Sequence, residues 1–214
     1  KMKTLGKILT GIVIVASSLL PMNKAEAQDN NVKASVDMVQ SEKEPVSFIR
    51  PNLFYKFLGL NNYSFFEFYR NEDFFGKTIL SKDLGKGMKA TGELVYGSGF
   101  SDSYGAGASV NIPMPEGTSL SVKALPLWFN KSGYIDDKVQ VGFFGKVNLP
   151  LGFNLSSFGE MNVVSKKGPQ WGYGEISLSK NLLDNLTLSY NPLLKNQGKL
   201  QPRLEHAVRV NYTF

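Results

Sequence analysis

From about residue 32 to its end, this chain never sustains ten residues of helical periodicity, and it alternates apolar and polar side chains many times. That pattern limits the fold more than any other feature. A period of two sends successive side chains to opposite faces of a strand, whereas a helix would mix the two sets. Between 139 and 149, Val139, Val141, Phe143, Gly145, Val147 and Leu149 share one face, and Gln140, Lys146 and Asn148 the other. Leu186, Leu188 and Tyr190 oppose Thr187 and Ser189 in the same way. The last segment places Val208, Val210, Tyr212 and Phe214 against Ala207, Arg209, Asn211 and Thr213. The expected class is therefore all-β.

Read backwards from Phe214, twelve candidate strands fall at about 204–214, 184–191, 171–180, 153–164, 138–149, 118–129, 104–112, 88–97, 74–81, 63–70, 46–57 and 32–39. Two environments produce such faces: core and water in a soluble β-sandwich or small barrel, or lipid and lumen in a membrane barrel. The connections favour the second. One alternate set, Leu58 to Asn62, Asp83 to Gly87, Pro113 to Gly117, Pro150 to Gly152 and Asn181 to Asn185, is short and rich in turn formers. Asn191 to Arg203, Asn130 to Asp137 and Gly97 to Ser103 in the other set are longer and more polar. Short turns on one side and longer loops on the other are the asymmetry of an outer-membrane barrel, and an even strand number puts both termini on the turn side. Ten strands also fit, because 32–39 and 74–81 are the weakest segments, and 75–81 alternates poorly.

The first 27 residues read as an address. Lys1, Lys3 and Lys7 precede an uncharged, mostly apolar run from Ile8 to Leu20, then Pro21 and Ala25-Glu26-Ala27. Basic end, short apolar stretch and small residues at a cleavage point are the order of a secretory signal, and the run is too short to span a bilayer well. The expected division is a cleavable signal at 1–27 and a barrel domain at 28–214. Four Lys and one Glu leave with the signal, so a net charge of +6 becomes +3 on 187 residues. That mild excess gives no argument for nucleic acid. Twelve strands then have about 16 residues each with their connections, where a tilted spanning strand needs ~9–11. With no cysteine in the chain, disulfide scaffolds, thiolate metal sites and lipid anchoring through Cys are excluded.

The terminal Val208-Arg209-Val210-Asn211-Tyr212-Thr213-Phe214 resembles the C-terminal signature of Gram-negative outer-membrane β-barrel proteins, which end in Phe with apolar residues at every second position before it. The resemblance implies export to the outer membrane and recognition of Val208, Val210, Tyr212 and Phe214 by the barrel-assembly machinery, with outer-membrane lipid and lipopolysaccharide as surroundings. In strand number and compactness the chain is similar to small twelve-stranded channels of the Tsx-like and oligosaccharide-porin types. No motif assigns it to either, and no solute is carried over.

A barrel of this kind sorts the side chains into an outer set, which runs from Ala34, Val36 and Met38 to Leu186 and Leu188, includes Trp128 and carries no charge. The inner set collects Lys33, Asp37, Lys56, Glu67, Lys89, Glu93, Lys123, Lys146, Glu160, Glu175 and Arg209, with the aromatic residues Tyr63, Phe65, Tyr69, Phe144, Phe158, Trp171 and Tyr173. Candidate lumen-lining residues are Lys89, Glu93, Lys123, Lys146, Glu160, Tyr173, Glu175 and Arg209. Opposed charges in a narrow lumen either pair into a plug or flank a wet pore. The aromatic residues either offer a stacking track or fill the interior. Pro126 breaks the ladder of its strand and marks a bulge or an early end.

The expected function is a narrow passive channel for small polar solutes, with no cofactor and no metal. The alternatives are a closed structural or adhesion barrel, and a soluble periplasmic β-barrel binding an apolar ligand. An enzyme is not expected. A Ser/His lipid hydrolase would have to use His206, the single histidine, and Val208 stands where the local motif of such enzymes would have Ser. The Gly-rich stretch 97–105 lacks the lysine and the strand-turn-helix setting of a phosphate loop.

Overall fold

The computed structural model of the protein describes residues 32–42, 47–69, 72–98, 102–130, 132, 137–165, 167–195 and 203–214. The proposed signal at 1–27 lies outside them. Twelve strands follow one another: β1 (Lys33–Ser41), β2 (Phe48–Phe57), β3 (Leu60–Tyr69), β4 (Phe74–Gly85), β5 (Met88–Gly97), β6 (Ser103–Ile112), β7 (Thr118–Asn130), β8 (Lys138–Asn148), β9 (Phe153–Val164), β10 (Gly168–Leu183), β11 (Leu186–Lys195) and β12 (Arg203–Thr213). Each pairs antiparallel with its sequence neighbours, and β12 pairs with β1, so the sheet closes into an up-and-down barrel with no free edge.

Strands of ten residues or so form because their two faces meet different surroundings. Met38, Phe66, Phe68, Leu80, Val110, Ile112, Val139, Phe143, Ile176, Leu178, Leu188 and Val208 lie on the outer surface. Asp37, Arg50, Asn52, Glu67, Lys77, Glu93, Gln140, Ser177, Ser189, Asn191 and Glu205 are buried inside. This inversion, with apolar side chains out and polar side chains in, is what hydrocarbon around a polar lumen selects.

At the end that carries both termini, the connections span two to five residues, and at the other end three to seven. The loop predicted from Asn191 is shorter than expected, because β11 runs on to Lys195. Its Asn191 and Leu193 are fully buried inside the barrel. Three turn-side connections have only two residues, and two of them, Leu58-Gly59 and Lys86-Gly87, have positive φ at both positions, as hairpin turns of type I′ require.

The two weakest sequence segments are strands β1 and β4, which resolves ten against twelve in favour of twelve. β4 alternates poorly because Gly76 occupies an outward position where the ring of Tyr96 lies. A Cβ there would fall 2.1 Å from that ring. Aromatic rings cover glycines elsewhere too: Trp128 on Gly105, Phe143 on Gly159, and Trp171 on Gly174. The missing side chain leaves the room that each ring fills.

Bulges reverse two assignments made from strict alternation. In β7, Ala124 and Leu127 oppose Ala108 and Ala106, so one extra residue enters beside Pro126. Leu125, opposite Gln140 and on the same inward face as Lys123, has 0% exposure, and beyond the insertion Trp128, expected towards lipid, sits inside at 1% exposure. In β10, Trp171 and Tyr173 oppose the adjacent residues Met161 and Glu160, with Gly172 as the insertion. Trp171, expected inside, therefore shares the outer face with Met161, and its Nε1 donates to the Leu194 carbonyl at 3.3 Å. A one-residue insertion exchanges the faces of everything beyond it, until a second irregularity restores them.

Candidate functional site: the charged lumen

Inward positions of β4, β5, β7 and β9 bring four charges into contact. Lys77 Nζ lies 2.5 Å from Glu160 Oε1 and 3.0 Å from Glu93 Oε2. Lys123 Nζ donates to Glu160 Oε1 at 2.5 Å and also to Glu93. β4 and β9 are five places apart around a ring of twelve, so the Lys77–Glu160 pair crosses the lumen instead of running along one wall. The four side chains are 0–12% exposed. Water therefore reaches these four side chains very little. Two ammonium groups against two carboxylates leave the cluster neutral. That balance offsets the large cost of taking charges out of water. Gly142 makes room for it, since a Cβ there would fall 2.4 Å from Lys123 Cε.

A second cluster occupies the wall formed by β1, β2, β3, β10, β11 and β12. The Arg50 guanidinium donates to Glu67 Oε1 through Nε at 3.0 Å and Nη2 at 2.5 Å, and it lies 3.9 Å from Asp37. The rings of Phe48 and Phe65 flank it at 5.0 and 5.1 Å. Arg209 Nη2 reaches Glu175 Oε1 at 2.6 Å. Asn191 Nδ2 donates to the same oxygen at 2.9 Å, and Tyr173 Oη donates to Glu175 Oε2 at 2.7 Å. Tyr69 donates to Glu67. Asn52 and Asn211 both donate to Asp37, at 3.1 and 2.7 Å. With two cations and three carboxylates, this cluster carries one negative charge in excess.

On the turn side of these clusters the lumen widens. A cavity of about 280 Å³ is lined by Ser35, Asn52, Phe54, Tyr63, Ser156, Ser177, Ser179, Thr187, Ser189 and Asn211, with Asp37, Arg50 and Arg209 at its inner end. Phe54 and Tyr63 stack with centroids 4.5 Å apart and planes 13° apart. The same two rings border a neighbouring cavity of about 420 Å³ at the mouth.

Of the eight lumen residues read from sequence, Glu93, Lys123 and Glu160 meet in the first cluster, and Tyr173, Glu175 and Arg209 in the second. Lys89 and Lys146 join neither. They stand at the turn-side mouth, Lys89 3.8 Å from Asp83 and Lys146 exposed near the end of β8. The sequence reading missed Lys77 and Arg50, which anchor the two clusters. The period Phe48, Arg50, Asn52, Phe54 carried the signal for Arg50. Gly76 masked the one for Lys77.

Among the signature residues, Val208 and Tyr212 lie on the outer surface. The Tyr212 hydroxyl accepts a hydrogen bond from Asn185 Nδ2 at 2.8 Å, and its ring meets Phe214 edge to face at 5.1 Å. His206 is also outside, stacked on Tyr190 and hydrogen-bonded to its hydroxyl. Glu205, beside it in sequence, is buried inside, and its Oε2 has no hydrogen-bond partner among the described residues.

A closed barrel of twelve antiparallel strands around a charged interior can be set against solved structures. It resembles the KdgM porin. The structure of KdgM in complex with disordered oligogalacturonate superposes with a TM-score of 0.61 at 10% identity, covering 85% of this chain and 99% of that one. The NanC porin superposes with a TM-score of 0.61 at 8% identity, covering 85% and 98%. At such identities the likeness is one of fold. No protein-family model and no curated protein matches the sequence.

Proposed function

We propose that this protein is an outer-membrane channel that passes small polar solutes passively, with the Lys77–Glu160 crossing as its narrowest point. One observation carries the reading: the interior is built from ion pairs, hydroxyls and amides and opens into a polar vestibule, while the exterior is an apolar band. A barrel serving only as a scaffold has no need of the polar vestibule, and apolar filling in place of buried ion pairs is often neutral or stabilising. The likeness to KdgM and NanC supports it. The same reading takes residues 1–27 as the export signal and Val208, Val210, Tyr212 and Phe214 as the feature read by the assembly machinery, with lipid and lipopolysaccharide around the barrel. It assigns no enzymatic step.

Planar-bilayer recording of the purified barrel tests this. Small single-channel conductance is expected. The double variant Lys77→Met/Glu160→Gln, which removes the crossing but keeps the cluster neutral, should raise it several-fold. A folded, membrane-inserted barrel that stays silent in both forms would favour a closed structural role. Fractionation to the periplasm without heat-modifiable gel migration would overturn the membrane assignment itself.

A further inference from the structure

We infer that the turn-side vestibule is a binding site for an uncharged polyhydroxylated solute about the size of one sugar ring. This rests on the channel reading for access but concerns equilibrium binding. Ser156 and Ser177 face each other across β9 and β10, and Ser179 and Ser189 face each other across β10 and β11. Thr187 and Asn211 continue the row on β11 and β12. The result is a wall of hydroxyl and amide groups over four neighbouring strands. Ser177 and Ser189 are each only 6% exposed, line the cavity, and make no side-chain hydrogen bond to any described residue. Their hydroxyls open onto the cavity and are free to hydrogen-bond whatever enters it. On the β2–β3 wall, the stacked Phe54 and Tyr63 offer the flat apolar surface that the carbon face of a ring covers. At about 280 Å³ the cavity lies just below the ~300–1,000 Å³ of typical ligand pockets, which suits one ring better than a chain.

Charge selects against anions at this site. Both arginines at its inner end already hold carboxylates, Arg50 on Glu67 and Arg209 on Glu175, and Asp37 lines the cavity. An entering carboxylate would meet one negative charge in excess. This contrasts with a polyanion such as the oligogalacturonate in the KdgM complex.

Titration calorimetry of the refolded full barrel in detergent, with glucose and glucuronate as probes, needs no conduction and so stands apart from the channel test. Saturable glucose binding is expected, tighter than that of glucuronate. Ser177→Ala and Ser189→Ala should each weaken it about 2- to 10-fold, the equivalent of a net hydrogen bond of ~0.5–1.5 kcal/mol. Phe54→Ala should weaken it further, while Ser64→Ala, which removes an outward hydroxyl, should leave it unchanged. Absent glucose binding by a barrel with native heat-modifiable migration would overturn the assignment. So would tighter glucuronate binding, or serine variants that bind as the parent does.

Discussion

Removing the Lys77 ammonium as Lys77→Met tests whether the cross-lumen cluster holds the barrel in shape. Lys77 gives its charge to Glu160 at 2.5 Å and Glu93 at 3.0 Å, with its side chain 6% exposed. Methionine keeps most of the volume, so packing changes little. The two carboxylates are left with Lys123 alone and one buried negative charge in excess. Breaking one partner out of a buried pair costs about 3–5 kcal/mol. Glu160→Gln alone leaves the opposite imbalance, one excess positive charge among Lys77, Lys123 and Glu93, and should cost a similar amount. The double variant retains Lys123 with Glu93 and is neutral again, so most of the loss should return. A double-mutant cycle by urea unfolding in lipid vesicles, followed by heat-modifiable migration, would then show a coupling of at least ~2 kcal/mol. Additive effects within about 0.5 kcal/mol, as for sites that share no partner, would refute the crossing.

Three further outcomes are expected. Fluorescence of the Trp171→Phe variant, which reports Trp128 alone, should resist quenching by brominated lipid, whereas the Trp128→Phe variant should be quenched strongly. Equal quenching of the two would rule out the bulges that place one ring inside and the other outside. Gly105→Ala drives a Cβ to 2.7 Å from the Trp128 ring and should cost about 1–3 kcal/mol, against under about 0.5 kcal/mol for Gly92→Ala, whose nearest neighbour would be at 3.7 Å; comparable unfolding midpoints would contradict this. Leu58, at φ +51° in a two-residue turn, bears a left-handed penalty of ~1–2 kcal/mol. Leu58→Asn should therefore raise the urea midpoint, and a fall would show that the leucine is held there by contacts.

Much of the architecture was legible because a strand's two faces are written locally. Val208, Val210 and Tyr212 or Asp37 and Glu67 declare their sides by parity alone, and twelve segments of that kind with turn formers between them leave few arrangements other than a closed barrel. Six of the eight lumen residues read in this way do meet inside. Parity failed where the backbone gained a residue, at Pro126 and Gly172, so both tryptophans changed faces. It was silent at Lys77, whose strand holds a glycine because a ring from the neighbouring strand needs the room.

The amino-acid sequence by itself thus determined the strand class, the alternating faces and the chemistry of the interior, since each depends on residues one or two positions apart. Only the tertiary structure decided which charges meet. Lys77 and Glu160 stand 83 positions apart on strands nearly opposite one another, and the curvature of the closed sheet alone brings them within hydrogen-bonding reach. The vestibule has the same origin, because its hydroxyl wall and its aromatic wall come from opposite ends of the chain and face each other only once β12 has paired with β1.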